Sequence, residues 1–313
     1  MALWFEKLNC SGRTHYKQHR TVKAMLPNSP EQRRMGIALV SCTTLMFAGL
    51  DALAKHLVQE LPVLRVVWLR FSTHVLIMAA LLWPQHGRLL VTVQRPKLHA
   101  LRGLMMCAMT ALNFWALQYL QLAETGAMQF SVPIMIAVFS AWWLGERLDL
   151  RRWIAILAGF AGVLIIIRPG SHAFHPAILL TLLNAILYAS FNLLTRHMAK
   201  TESAEATQWL AAAVAAVVLT PFGIWQWQTP QHWTTWGWIA LTGLLGGLGH
   251  YCVTLAHRRA SAAVLGPFLY QQIIYMSALG WLVFGNVPDS AVVLGACVVV
   301  GSGLYLLWRE VRH

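Results

Sequence analysis

Acidic side chains are scarce in this chain: 11 Asp and Glu stand against 24 Lys and Arg in 313 residues. Charged residues together make up 11%, against about 25% in a soluble domain. That scarcity excludes a disordered polyelectrolyte and argues against a water-exposed enzyme surface. Cysteine is sparse as well. None of Cys10, Cys42, Cys107, Cys252 and Cys297 forms a CxxC pair, and the last four sit in apolar runs. They read as small core residues rather than metal ligands or a disulfide framework. The 13 His include no HExxH and no Cys-His set, so no metal is expected. His15 and His19, and likewise His172 and His175, are too few to make a site. GxxxxGK[ST] is absent, which leaves no nucleotide site, and no cofactor is expected.

What the chain has instead is apolar length. Apolar residues are 58% of it and the mean hydropathy is +0.55. Ten apolar segments can be marked, near 36–57, 62–83, 99–120, 125–144, 152–167, 176–195, 207–225, 236–256, 262–284 and 290–308. Each is close to the roughly 20 residues a bilayer-spanning helix needs, and none shows the alternation of a membrane β-barrel. The net charge of +13 falls between these segments. With the N-terminus inside, 20 Lys and Arg lie on the inner side and three (Lys55, Arg65, Arg168) on the outer. In that count Arg102 belongs to the inner loops and Arg70 is intramembrane. So strong a bias reads as positive-inside topology, with both termini cytoplasmic in the inner membrane. Lipid is then the partner of the basic surface, and nucleic acid is not. Residues 1–35 read as a basic cytoplasmic tail, with Met25 and Met35 as alternative starts.

The sequence repeats itself. Phe47-Ala-Gly-Leu-Asp51-Ala-Leu-Ala-Lys55-His56 aligns with Tyr188-Ala-Ser-Phe-Asn192-Leu-Leu-Thr-Arg196-His197 at an offset of 141. Ala116 to Gly126 aligns with Ala256 to Gly266, and Trp142 to Asp149 with Leu282 to Asp289, both at 140. Five helices per copy is an odd number, so the second copy enters the membrane from the opposite side. The fold expected is an all-α polytopic membrane protein of ten transmembrane helices, arranged as two inverted five-helix repeats. Inverted repeats are the architecture of secondary transporters, with the substrate site near the midplane at the repeat interface.

The run Pro133-Ile-Met-Ile-Ala-Val-Phe-Ser-Ala-Trp-Trp-Leu-Gly145-Glu146-Arg147-Leu-Asp-Leu-Arg-Arg-Trp153, continuing to Arg168-Pro-Gly170, resembles the signature of the EamA branch of the drug/metabolite transporter (DMT) superfamily. A weaker copy spans Tyr270 to Arg309. Two positions depart from it: Ile273 stands opposite Pro133, and Gly285-Asn286 replaces Gly-Glu. The resemblance implies EamA repeats over 36–168 and 176–309, a central cavity open alternately to each side, and transport rather than catalysis. It implies cargo among small organic solutes: an amino-acid-like metabolite, a metallophore or a drug-like molecule for an exporter. The alternative is an importer of a vitamin or cofactor such as riboflavin or S-adenosylmethionine. An alternative of another class is a membrane enzyme or assembly factor that moves nothing. Protons as coupling ion and a homodimer both stay open.

Ionisable residues within membrane segments are functional candidates by default. Asp51, Lys55 at i+4, Arg70 and His74 form one cluster if the first two segments pack together. It would serve as a gate or a binder of substrate charge; the plainer alternative is a static pair that neutralises buried charge, with Lys55 snorkelling to the interface. Asn113 and Trp115 on the third segment and His250 and Tyr251 on the eighth pair polar groups with aromatics, as a flat organic ligand requires. Trp115 equally suits a lipid anchor. His250 equally suits helix packing in the Gly-rich run 243–249. Asn184 and Asn192 on the sixth segment serve either a ligand or a bridge between helices. Gln129 and Pro133 on the fourth segment, with Tyr270, Gln271 and Gln272 on the ninth, complete the candidate site. Pro133 has no N–H to give, and the carbonyl it leaves free is tolerable only against protein or a wet cavity.

Overall fold

The structure, a computed structural model, describes residues 30–132, 134, 135, 138, 139, 150–168, 174–198, 201–225, 227, 229, 230, 232–260, 265 and 268–312. Among the described residues there are helices and turns but no strand. The helices are α1 (Pro30–Glu60), α2 (Val63–His86), α3 (Pro96–Leu117), α4 (Leu122–Gln129), α5 (Leu150–Ile167), α6 (Ile178–Met198), α7 (Ala204–Ile224), α8 (Trp233–His257), α9 (Gln271–Phe284) and α10 (Ser290–Arg312). Among the described residues, the spans beginning at Pro30, Val63, Pro96, Ile178, Ala204 and Trp233 are long and apolar enough to cross a membrane. Most of the basic tail, residues 1–29, lies outside the described residues, as does Pro133.

Three expectations change. Helix α1 begins at Pro30, ahead of the apolar segment, because its first turn is polar (Pro30-Glu31-Gln32-Arg33-Arg34) and apolarity alone does not register it. Proline at a first helical position costs no hydrogen bond, as Pro96 shows again in α3. The fourth and ninth segments are interrupted. Phe130 and Ser131 form a turn after α4, with their amides donating to Ala127 and Met128 at 3.3 and 3.1 Å. Tyr270 forms a turn before α9, where the Ile273 amide donates to its carbonyl at 3.3 Å. No proline follows in the second copy, yet the helix breaks at the residue equivalent to Phe130. Arg102, counted with the loops, is inside α3 and 4% exposed.

The helix ends follow ordinary capping chemistry. Gln121 and Glu124 make a capping box at α4, and the Ser203 hydroxyl accepts from the Ala206 amide at α7. Asp289 accepts from the Val292 amide at 2.9 Å at α10 and pairs with Arg168 at the end of α5. That amide, with the guanidinium behind it, holds the Asp289 carboxyl below the usual carboxylate range. Gly285, at φ 67°, closes α9 in a conformation that favours glycine.

Packing repeats the duplication. Helix α1 packs on α8, and its repeat counterpart α6 packs on α3. Helix α2 packs on α8, and α7 on α3. Helix α2 also packs on its own counterpart α7, α4 on α9, and α5 on α10. A two-fold axis relating the halves produces this pattern. The axis passes between the two helix breaks, where the Phe130 and Tyr270 rings meet with centroids 4.9 Å apart. At the α5–α10 crossing a Cβ on Gly295 would come to 2.7 Å of the Gly162 carbonyl oxygen, and the Ser302 hydroxyl donates to the Ala155 carbonyl. An offset of 140 turns the first residue pair into the second. Small residues let backbones approach where lipid supplies no hydrophobic drive between helices.

Gly295→Ala therefore overpacks this crossing and costs about 1–3 kcal/mol. Gly301→Ala, where a Cβ meets nothing within 4 Å, is neutral or stabilising by up to about 1 kcal/mol. Thermal unfolding of the two variants in detergent makes the comparison.

Candidate functional site

Helix α3 carries opposite charges at its ends. At its N-terminus the Glu202 carboxylate accepts from the backbone amides of Gln94 and Arg95 at 3.1 and 2.9 Å, with His99 Nε2 3.4 Å away. At its C-terminus Lys55 Nζ donates to the carbonyls of Leu117 and Leu120 at 3.0 and 2.8 Å. Each charge meets unpaired backbone groups and the favourable end of the helix dipole. Helix α3 has 22 residues, so the two contacts are about 33 Å apart, close to a bilayer core. Gln118 Nε2 adds a bond to the Val58 carbonyl at 2.9 Å beside Lys55. Arg65 Nη2 donates to the Trp225 carbonyl at 3.1 Å, joining the head of α2 to the end of α7. At the Glu202 end, Arg258 pairs with Glu205 at 2.9 Å. The bundle is thus tied by polar contacts at both ends.

Between the ends lies a buried polar cluster. Asp51 on α1 accepts from Asn113 Nδ2 on α3 at 2.9 Å. Arg70 on α2 is within electrostatic reach of Asp51 and lies over the Phe71 ring at 4.2 Å. Its Nε and Nη1 have no hydrogen-bond partner among the described residues. His74, one turn further along, is fully buried, and neither ring nitrogen has a partner among the described residues. Its ring stacks towards His250 on α8 at 6.4 Å, and His250 meets Phe47 of α1 edge-on at 4.9 Å.

The Gly-rich run of α8 makes this seat. A Cβ on Gly246 would come to 2.9 Å of Arg70 Nη2, one on Gly243 to 2.0 Å of Thr73 Oγ1, and one on Gly249 to 2.7 Å of the Phe47 ring. Glycines at these three positions leave the room that Arg70, Thr73 and Phe47 occupy.

The structure thus brings Asp51, Arg70, His74, Asn113 and His250 together, while Lys55 turns away to cap α3. Other candidates stand apart. Asn192 donates to the Tyr188 carbonyl of its own helix at 2.7 Å. Asn184 is buried on α6, and Tyr251 packs with Met78, Leu82, Leu90 and Trp209. Trp115 is 37% exposed. Gln129 is half-buried at the end of α4. Tyr270 and Gln271 line a groove of about 650 Å³ with Ile273, Ser277, Val292 and Ala296. Its walls are otherwise apolar, and the Gln271 Oε1 there has no partner among the described residues. Gln272 Nε2 lies 3.8 Å from Met276 Sδ.

Sequence reasoning missed Arg102. Its Nε donates to Thr195 Oγ1 at 3.0 Å, its Nη1 to the Thr207 carbonyl at 2.8 Å, and its guanidinium covers the Phe191 ring at 4.4 Å. The available signal was its place six residues past Pro96, already in the second turn of a helix. Glu202 was missed for a different reason: its partners are backbone amides, which no side-chain pattern reveals. Among the described residues no three His, Cys, Asp or Glu are grouped to hold a metal.

Residues 34–168, and again 175–308, match the EamA-like transporter family. An S-adenosylmethionine uptake transporter of Rickettsia felis is 25% identical over 264 residues, covering 83% of this chain and 88% of its own. A riboflavin transporter of Vibrio cholerae is 26% identical, covering 86% of this chain and 91% of its own. The pseudopaline exporter CntI of Pseudomonas aeruginosa is 26% identical, covering 85% and 94%. A solved crystal structure shares the fold at a TM-score of 0.63, with 20% identity over 89% of this chain and 99% of its own.

The Asp51–Asn113 bond gives a test of the cluster. Asn113→Leu strands a buried carboxylate and lowers stability by about 1–3 kcal/mol. Adding Asp51→Leu restores part of that loss, since two apolar partners leave nothing unpaired. A double-mutant cycle on thermal unfolding reads the coupling.

Proposed function

The chain belongs to the EamA-like transporter family, and on that footing we propose that it moves a small organic solute across the inner membrane by alternating access, in the outward direction. Ten helices in two inverted repeats carry the movement, with both termini in the cytoplasm and residues 1–35 as a basic tail. The buried cluster of Asp51, Arg70, His74, Asn113 and His250 is the solute site. One observation supports this reading above the rest: the polar cluster is buried between two ends that are each tied by polar contacts, about one bilayer core apart. That is the arrangement of an occluded carrier, in which one end must open while the other stays closed. A gradient supplies the energy: proton coupling, exchange or downhill flow.

Uptake is the second reading. It is favoured by the relatives named as S-adenosylmethionine uptake transporters. Catalysis is set aside, because the family and the named relatives are transporters.

Purified protein in liposomes loaded with a cell extract releases a defined set of metabolites that empty liposomes retain, read by mass spectrometry. Release of none overturns the transport reading. Comparing metabolites in the cells and medium of deletion and overexpressing strains gives direction. Accumulation inside the deletion strain means export, and depletion inside with the compound left in the medium means uptake.

The tied ends give a second test. In a background without the native cysteines, Cys replacing Gln94 and Glu202 are joined by a short bis-thiol reagent, which lowers transport at least about tenfold, while each single-Cys variant treated alike keeps its rate. Unchanged transport in the crosslinked protein would mean that this end does not open.

A further inference from the structure

Among the described residues, two buried guanidiniums in the helices differ in how they are satisfied. Arg70 and Arg102 are 3% and 4% exposed. Asp51 is the buried carboxylate that faces Arg70, and it already accepts from Asn113. The other acids near this face are committed elsewhere: Glu202 to the head of α3, and Glu205 to Arg258. His250 on α8 stands in the cluster of Asp51 and Arg70, its ring centroid 6.4 Å from that of His74. A charge taken from water without a matching partner costs several kcal/mol, so proteins pair it or use it. Arg102 is paired, through Thr195, the Thr207 carbonyl and the Phe191 ring. Arg70 is not: Nε and Nη1 donate to nothing among the described residues, and no ion pair joins it to Asp51 there.

A guanidinium N–H left without an acceptor fits a carboxylate oxygen, and the fixed positive charge favours an anion over a neutral group. We infer that Arg70 is the docking point for a carboxylate of the transported solute, with Phe71 beneath the guanidinium and His74 and His250 as the neighbouring wall. The inference rests on the transport reading and narrows it. Solutes without a negative group, neutral or purely cationic, bind poorly because they leave Arg70 unpaired. Gly246 belongs to the same device, since a Cβ there would come to 2.9 Å of Nη2. His74 and His250 supply ring surface close to the guanidinium without adding a second carboxylate to compete with the ligand.

The test measures binding rather than transport. Purified protein in detergent is titrated with matched acid and amide pairs: phenylpropionate and phenylpropionamide, nicotinate and nicotinamide, methionine and methioninamide, S-adenosylmethionine and its decarboxylated form. Equilibrium dialysis and thermal shift are the readouts. An acid of the panel binds at least about tenfold more tightly than its partner, as one charge-assisted hydrogen bond warrants. The preference falls to within about twofold in Arg70→Gln, while Arg70→Lys keeps part of it. Should Arg70→Gln fail to remain monodisperse, Gly246→Ala serves instead. It displaces the guanidinium and brings the ratio of acid to amide affinity to within about twofold. Equal binding of acid and amide, a panel in which no acid binds, or a preference that survives Arg70→Gln or Gly246→Ala overturns the inference. The two readings fail separately. A protein that binds acids selectively but moves nothing in liposomes loses the transport reading alone. One that moves only neutral solutes loses this inference alone.

Discussion

Helix α3 is the member on which the rest depends, because its two ends are the places where charge is used to hold backbone. A helix in lipid satisfies its own middle but not its first amides or last carbonyls. Here Glu202, from the α6–α7 connection, takes the amides, and Lys55, from α1, takes the carbonyls. One rod is thereby fastened to two different elements at opposite ends. Everything attached to its length inherits that position: Arg102 against α6 and α7, and Asn113 against Asp51 of α1. The contacts are backbone-directed and so indifferent to side-chain drift along α3.

The buried cluster is built on the opposite principle. It is placed by what is missing on α8 rather than by bonds to it. Glycines at 243, 246 and 249 remove the atoms that would otherwise displace Thr73, Arg70 and Phe47. A guanidinium set against a glycine backbone and a phenyl face has little to hold it except the shape of the space. That is a poor way to stabilise an arginine and a good way to keep its donors available. The second guanidinium, Arg102, shows what stabilisation looks like in the same bundle: two hydrogen bonds and a ring face.

Much of this was legible in the chain itself. Long apolar runs, the offset between Asp51 and Asn192, and the near-identical offsets further on foretold a two-repeat helical membrane protein, and the membership of the family agrees. The cluster of Asp51, Arg70 and His74 was legible because ionisable residues stand out in apolar helices. Besides Glu202, three things were not. Lys55 shares a helix face with Asp51, but carbonyls released by the end of α3 compete for it, and those carbonyls have no sequence signature. Arg102 was hidden by proximity to a basic loop, where a buried and a topogenic arginine look alike. The break at Tyr270 was hidden because the proline that marks its counterpart is absent. The aromatic contact with Phe130 and the close approach to Gly303 accompany the break there instead.

The Phe130–Tyr270 contact has a consequence for how the two halves can vary. A contact on the axis that relates two halves joins a residue to its own equivalent. In a symmetric pair of half-length chains it would be one residue touching its own copy, and a single codon would alter both faces at once. In one chain the two positions have separate codons. Each can mutate against a fixed partner, and here a phenol and a phenyl sit where an exact two-fold would require identical rings. The junction between the halves is therefore where a duplicated carrier first gains freedom to become lopsided, and Tyr270, with a hydroxyl that Phe130 lacks, is a departure of that kind.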